Sequence, residues 1–240
     1  MNIDAKNLPY EELNRQIKTA PDAEIIIQNC CGQRYLANGL SHKRLTVSGV
    51  PGNALGAYLD GAEITVEGNA QEATGDTMND GKIFVDGMAG DATGYAMRGG
   101  EIYIRANTGY RAGIHMKEYE EKQPWLIVGG EAGSFLGEYQ AGGAIVVLGL
   151  QSRGKAPIGN FCGVGMYGGK IFLRCSEPPK NLSGRLLCKK AGEEEMALLL
   201  PKLENFSKAF SVPMEEILDT PFFLITPDSQ NPYQQLYTQN

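Results

Sequence analysis

The chain has 240 residues, with 22 Lys and Arg against 28 Asp and Glu, a formal charge of −6. That balance excludes the basic footprint of a nucleic-acid-binding surface, and no apolar run reaches the about 18 residues that cross a membrane. Glycine, at 31 residues, exceeds its usual share of about 7%, and its spacing is periodic, which signals repeats and not disorder. The start, Met1-Asn-Ile-Asp-Ala-Lys6, lacks the apolar region of a signal peptide, so a cytoplasmic address is expected.

Residues 1–23 read as an N-terminal helical cap. Tyr10, Leu13 and Ile17 stand at helical spacing within Asn7–Lys18, with Asn7 as the N-cap and Pro9 in the first turn. Glu24–Gln28 reads as an atypical first strand, its inward residue being Ile26, 19 before Leu45, or else the pair Ile25 and Ile27.

Residues 24–175 then repeat. Short I-x-V cores start at Leu45, Ile64, Ile83 and Ile102, 19 residues apart, and a fixed period changes the whole expectation of fold. Leu126 follows after 24 residues, Ile145 after 19 and Ile171 after 26. The extra five and seven residues fit two polar insertions, within Lys117–Pro124 and Gln151–Pro157, which behave as surface loops because the register survives them. Between strands runs G-x-x-G-x-x-x-G. Its first glycine is Gly49, Gly68, Gly87 or Gly130, its second Gly52, Gly90, Gly109 or Gly133, and its third Gly56, Gly75, Gly94, Gly113 or Gly137. Two residues before the third stand Ala54, Ala73, Ala92, Arg111 and Phe135, with Phe161 in the next repeat. Three after it stand Leu59, Met78, Met97, Met116 and Gln140, with Met166 next.

Alternation along each strand turns Ile64 and Val66 inward and Thr65 outward. One such strand cannot bury its apolar face, but stacked copies place Leu45, Ile64, Ile83, Ile102, Leu126, Ile145 and Ile171 in one column, with the Leu/Met positions as a second wall. These features predict an all-β parallel β-helix of about seven coils of ~19 residues. The outward positions, Thr46, Thr65, Phe84, Tyr103, Ile127, Val146 and Phe172, are mostly apolar or aromatic, which suits contact with protein better than sugar cleavage.

Residues 176–240 read as a helical and extended tail. After the Ser176–Asn181 break, Gly192–Phe206 is a helix kinked or split at Pro201, and Val212–Asp219 a second short one. Pro221–Pro227 is extended and apolar, placed to cover an open strand edge or to dock a partner. The last dozen residues are polar and expected to be mobile.

No catalytic, cofactor-binding or metal residue is assigned. Gly163-Val-Gly-Met-Tyr-Gly168 has dinucleotide-loop spacing but precedes a strand where that motif opens a helix. His42 and His115 share no zinc spacing. Cys30, Cys31, Cys162, Cys175 and Cys188 form no C-x-x-C, and a Cys/His pair needs Cys162 or Cys30 to meet His115 in space. Candidate partner contacts are His115, Lys117, Glu118 and Tyr119 at the first insertion and Arg153 and Lys155 at the second.

The glycine repeat resembles the GXGXG family, above all the C-terminal domain of the glutamate synthase large subunit in stand-alone form, and is similar to the glycine-repeat subunit of formylmethanofuran dehydrogenase. Gly32-Gln-Arg-Tyr35, Gly113-Ile-His-Met-Lys-Glu-Tyr119, Gly142-Gly143 and Val147-Leu-Gly-Leu150 favour the former. The resemblance implies a right-handed β-helix that spaces glutaminase and FMN-binding synthase subunits and helps frame their ammonia tunnel. It also implies that FMN and iron–sulphur groups sit on those partners, not on this chain. The alternatives are a scaffold like the glycine-repeat subunit of formylmethanofuran dehydrogenase, or an independent β-helix enzyme or binding protein; self-association into a homo-oligomer is a further partner expectation.

Overall fold

The structure is a computed structural model and describes residues 1–180, 182 and 184–228. The chain opens with β1 (Asn2–Asp4), α1 (Tyr10–Thr19) and β2 (Glu24–Cys31). The repeats follow as β3 (Arg44–Val50), β4 (Asp60–Glu67), β5 (Asp80–Val85), β6 (Glu101–Ile104), β7 (Trp125–Val128), β8 (Ala141–Val147) and β9 (Gly168–Arg174). Last come β10 (Leu186–Lys190), α2 (Glu193–Phe210), α3 (Met214–Leu218) and β11 (Phe222–Pro227).

These strands form one 11-stranded sheet in the order β1-β2-β3-β4-β5-β6-β7-β8-β9-β11-β10, parallel up to β9 and antiparallel at β11 and β10. The expected all-β, right-handed parallel β-helix is therefore corrected: the strands make a single mixed sheet, not a closed helix of coils, and among the described residues three helices accompany it. The reason lies in the glycine segments. Each repeat commits a single stretch around its I-x-V part to a strand, and much of the rest is turn, joined between repeats by isolated bridges such as Ala70↔Ala89 and Ala89↔Thr108. The sheet is mixed because β11 returns antiparallel along β9, covering an edge that a parallel stack leaves open.

Register follows the spacing. Leu45, Ile64, Ile83, Ile102, Leu126, Ile145 and Ile171 pair in succession across neighbouring strands, and each is 0% exposed. Burying each contributes about 1.5–3 kcal/mol. In β2 the inward pair is Ile25 and Ile27, and Ile26 stays 43% exposed. The turns stack too. Ala92 N–H donates to Tyr110 O of the following repeat, and Gly94 N–H to Thr74 O of the preceding one. Both have positive φ, 53° and 71°, which aims these N–H groups up and down the stack.

The outer face of the sheet differs from expectation. Tyr103, Ile127, Val146 and Phe172 are fully buried, not free for a partner, because Leu199, Leu203, Phe206, Phe210 and Ile217 of α2 and α3 cover them. Helix α2 runs unsplit through Pro201, whose exposed position leaves the burying stripe intact. Buried Arg174 pins α3. Its guanidinium donates to Ile217 O (2.9 Å), Leu148 O (3.1 Å) and Glu216 O (2.8 Å) and pairs with Asp219. At the other end Pro9, not Asn7, caps α1; Asn7 adopts φ 62° in the turn before it. The last dozen residues, 229–240, lie outside the described ones.

Candidate functional site

The most unusual surface lies on the turn face. At one corner of successive repeats stand Ala54, Ala73, Ala92, Arg111, Phe135 and Phe161, all at positive φ between 53° and 64°. Alanine satisfies this corner three times, so the fold does not require bulk there. The later repeats nonetheless place large side chains in a backbone state that costs L-residues about 1–2 kcal/mol. Arg111 lies over the Phe135 ring at 5.4 Å, and Phe135 stacks on Phe161 at 4.9 Å. A second row runs beside it: His115 stacks on Tyr139 at 5.2 Å and meets the edge of Tyr95 at 5.9 Å. Tyr110, Tyr139 and Phe161 all remain exposed. Sequence reasoning singles out His115 but not these aromatics; the change from Ala to Arg and Phe along one column is the available signal.

The first insertion is tied down. Lys122 Nζ reaches Asp80 at 3.3 Å and Asp60 at 3.8 Å, and Glu118 Oε1 accepts from Gly143 N–H at 2.9 Å. Lys117 N–H donates to Met97 O at 3.1 Å, and Tyr119 projects outward, 55% exposed. In the second insertion Ser152 Oγ donates to Glu131 at 2.8 Å, while Arg153 and Lys155 are exposed. The two insertions leave the repeat at different points, before β7 and after β8, so the structure joins His115 to the aromatic rows but does not gather all six candidates into one cluster.

A polar network beside the first insertion has no counterpart in the sequence reading. Lys202 of α2 donates to Glu101 Oε1 at 2.6 Å and lies 5.2 Å from the Trp125 ring centroid. Tyr103 Oη donates to Glu101 Oε2 at 2.6 Å and accepts from Asn205 at 3.2 Å. Burial opposes ionisation of Glu101, but the Lys202 and Tyr103 hydrogen bonds outweigh it and hold its carboxyl below the usual range. Burial, reinforced by Glu101, pushes the Tyr103 phenol up. Asp80, Lys82, Glu101 and Lys122 line an open cleft of about 230 Å³ there.

The buried thiols Cys30 and Cys162 are subdued. Burial pushes Cys162 up to about 12 and Cys30 up to about 11, so both stay protonated near neutrality. Gly163 and Gly165 lie in a turn at φ 67° and 71° and lead into β9. Among the described residues no cluster of three His, Cys, Asp or Glu is placed to hold a metal ion, and no helix is long and apolar enough to cross a membrane.

A stack of glycine-cornered repeats, strands in register on one side and exposed side chains built on the corners, defines a glycine-turn repeat protein. The chain belongs to the GXGXG motif family, whose pattern matches residues 11–220. It is 43% identical over 249 residues to the uncharacterized protein MJ1350 of Methanocaldococcus jannaschii, covering 98% of this chain and 95% of that one. In fold it is similar to a chain of the formyltransferase/hydrolase complex (FhcABCD) of Methylorubrum extorquens, crystallised with methylofuran. There the TM-score is 0.63 at 18% identity, over 86% of this chain and 84% of the other.

Proposed function

We propose that this chain is a non-catalytic scaffold subunit that spaces the catalytic subunits of a multi-subunit enzyme. The observation that carries the reading is the Arg111, Phe135 and Phe161 column on a corner that alanine fills in three other repeats, flanked by the exposed His115–Tyr139 stack: side chains larger than the corner needs, reaching the surface, suit rigid contact with protein. His115 lies in one row. Tyr119 beside it, and Arg153 and Lys155 on the second insertion, extend the contact, while Lys117 and Glu118 hold their loop in place. The fold likeness to a chain of a formyltransferase/hydrolase complex supports an assembly of the formylmethanofuran dehydrogenase kind, with this chain in the position of its glycine-repeat subunit. A second reading, the stand-alone glutamate synthase module, is favoured by Gly32–Tyr35 and Gly113–Tyr119. In it the FMN and iron–sulphur groups reside on partner glutaminase and synthase subunits.

The test is isolation of the chain, tagged in its native cells, with identification of what accompanies it. Formyl-transfer and hydrolase subunits select the first assembly, and glutaminase and flavin-binding subunits the second. Purified alone, the chain is expected to carry no flavin, nicotinamide or iron–sulphur absorbance and to hydrolyse no glutamine. A flavin-bearing preparation that turns over without partners overturns the scaffold reading.

A further inference from the structure

We infer that the open end of the turn stack, residues 158–165, is closed by an acidic peptide segment of a partner subunit, laid along it as a further repeat would be. This rests on the scaffold reading and names the element the partner contributes. Three N–H groups of each turn donate to the repeat that follows. Thr108, Arg111 and His115 donate in this way to Glu131 O, Ser134 O and Glu138 O. Ala132 then donates to Pro157 O at 3.0 Å, Phe135 to Asn160 O at 2.8 Å and Tyr139 to Val164 O at 2.9 Å. One repeat on, the equivalent donors are Ile158, Phe161 and Gly165, and no further repeat follows them. None of these three N–H groups donates to a main-chain carbonyl among the described residues. Gly159, Asn160, Phe161 and Gly165 are exposed along this edge, and the Phe161 ring, stacked on Phe135, ends its ladder 57% exposed.

The opposite end of the stack is closed from within the chain. Asn14 of α1 donates to Arg34 O at 3.2 Å and accepts from Ala37 N–H at 3.0 Å. Arg34 O is the carbonyl that a second copy, stacked head to tail, would have to offer Phe161, so α1 bars that arrangement. Charge selects the occupant. Residues 51–100 hold eight Asp and Glu against two Lys and Arg, whereas residues 151–180 hold five Lys and Arg against Glu177 alone. Arg153 and Lys155 lead into Ile158, and Lys180 lines a cleft of about 150 Å³ together with Ile158, Asn160 and Cys162. Arg153, Lys155 and Lys180 are exposed, and none forms an ion pair among the described residues. Main-chain bonds along a free edge supply affinity, and the flanking cations repel a basic segment and favour an acidic one. The occupant is thus a segment that turns main-chain carbonyls toward Ile158, Phe161 and Gly165 and carries Asp or Glu toward the three cations.

The experiment measures hydrogen–deuterium exchange of the Ile158, Phe161 and Gly165 amides in the full chain, first alone and then in the complex recovered from its native host. The expected result is fast exchange in the isolated chain, slowed at least tenfold in the complex. p-Benzoylphenylalanine at position 160 should give a photo-adduct to a partner peptide rich in Asp and Glu. Arg153→Glu combined with Lys155→Glu and Lys180→Glu should cut partner recovery at least tenfold with no change in the melting curve of the isolated chain. Slow exchange of these amides in the isolated chain, or unchanged exchange in a complex that forms, overturns the inference and leaves the scaffold reading standing. An adduct from position 160 to a second copy of this chain, or full partner recovery with the triple variant, does the same. No partner recovered with the wild-type chain overturns both.

Discussion

Gly94 and Gly137 occupy the same position of the repeat at nearly the same φ, 71° and 63°, so replacing either by alanine carries the same conformational cost, about 1–2 kcal/mol. Their surroundings differ. A Cβ on Gly94 would meet nothing nearer than Leu126 Cδ2 and Met97 Sδ at 3.8 Å, an ordinary contact. A Cβ on Gly137 would lie 2.8 Å from Ile171 Cδ1, 3.0 Å from Gln140 Oε1 and 3.4 Å from Ile145 Cδ1. Gln140 has little room to yield, because its Nε2 is held by Gly142 O at 3.1 Å and Gly143 O at 3.2 Å. Overpacking of this kind adds about 1–3 kcal/mol. Gly137→Ala should therefore lose about 1–3 kcal/mol more than Gly94→Ala, a gap of about 0.3–1 M in urea midpoint at a slope of about 3 kcal/mol/M. Equal midpoints for the two variants refute the idea that Gly137 closes directly onto the buried isoleucine column.

Met97→Asp places a carboxyl between the fully buried Met78 and Met116, and insoluble or molten protein is expected by solubility and near-UV dichroism; wild-type melting would put the column outside. Arg174→Met strips donors from Ile217 O, Glu216 O and Leu148 O, a loss of about 3–5 kcal/mol, and limited proteolysis should then cut within residues 211–219; unchanged protection contradicts the pinning role. Replacing Lys117–Gln123 by a short Gly/Ser linker removes the Lys122 ion pairs to Asp60 and Asp80 and the Glu118 hydrogen bond. Each surface pair is worth under about 1 kcal/mol, so the melting temperature should fall by only a few degrees while partner recovery drops. Undiminished recovery removes this loop from the contact surface.

The period makes the strand register legible, because inward isoleucines at 19-residue steps have only one pairing that buries them all. What period alone does not specify is the path between strands. The same glycines serve a coil of several sheets or a set of hydrogen-bonded turns, and here the turns join through isolated bridges beside one sheet. The C-terminal strands are harder to read. β10 contains Lys189 and Lys190 and pairs only through β11, so no periodic signal marks it. The outward ladder reads as free because covering it depends on contacts about 100 residues apart in sequence, such as Lys202 with Glu101. The aromatic corner rows escape for another reason: the repeat alignment sets Arg111, Phe135 and Phe161 in one column with Ala54, Ala73 and Ala92, but none of these residue types announces the positive φ that column adopts.

The central claim is that the chain organises other subunits and performs no chemistry itself. It is tested most directly by deleting the chain in its native cells and measuring the half-reactions and the coupled reaction of the subunits that co-purify with it. Each partner should retain its own half-reaction, the coupled reaction should fail, and added wild-type chain should restore it together with co-sedimentation of the partners. A partner half-reaction that disappears on deletion and is then carried out by the purified chain alone would contradict the account.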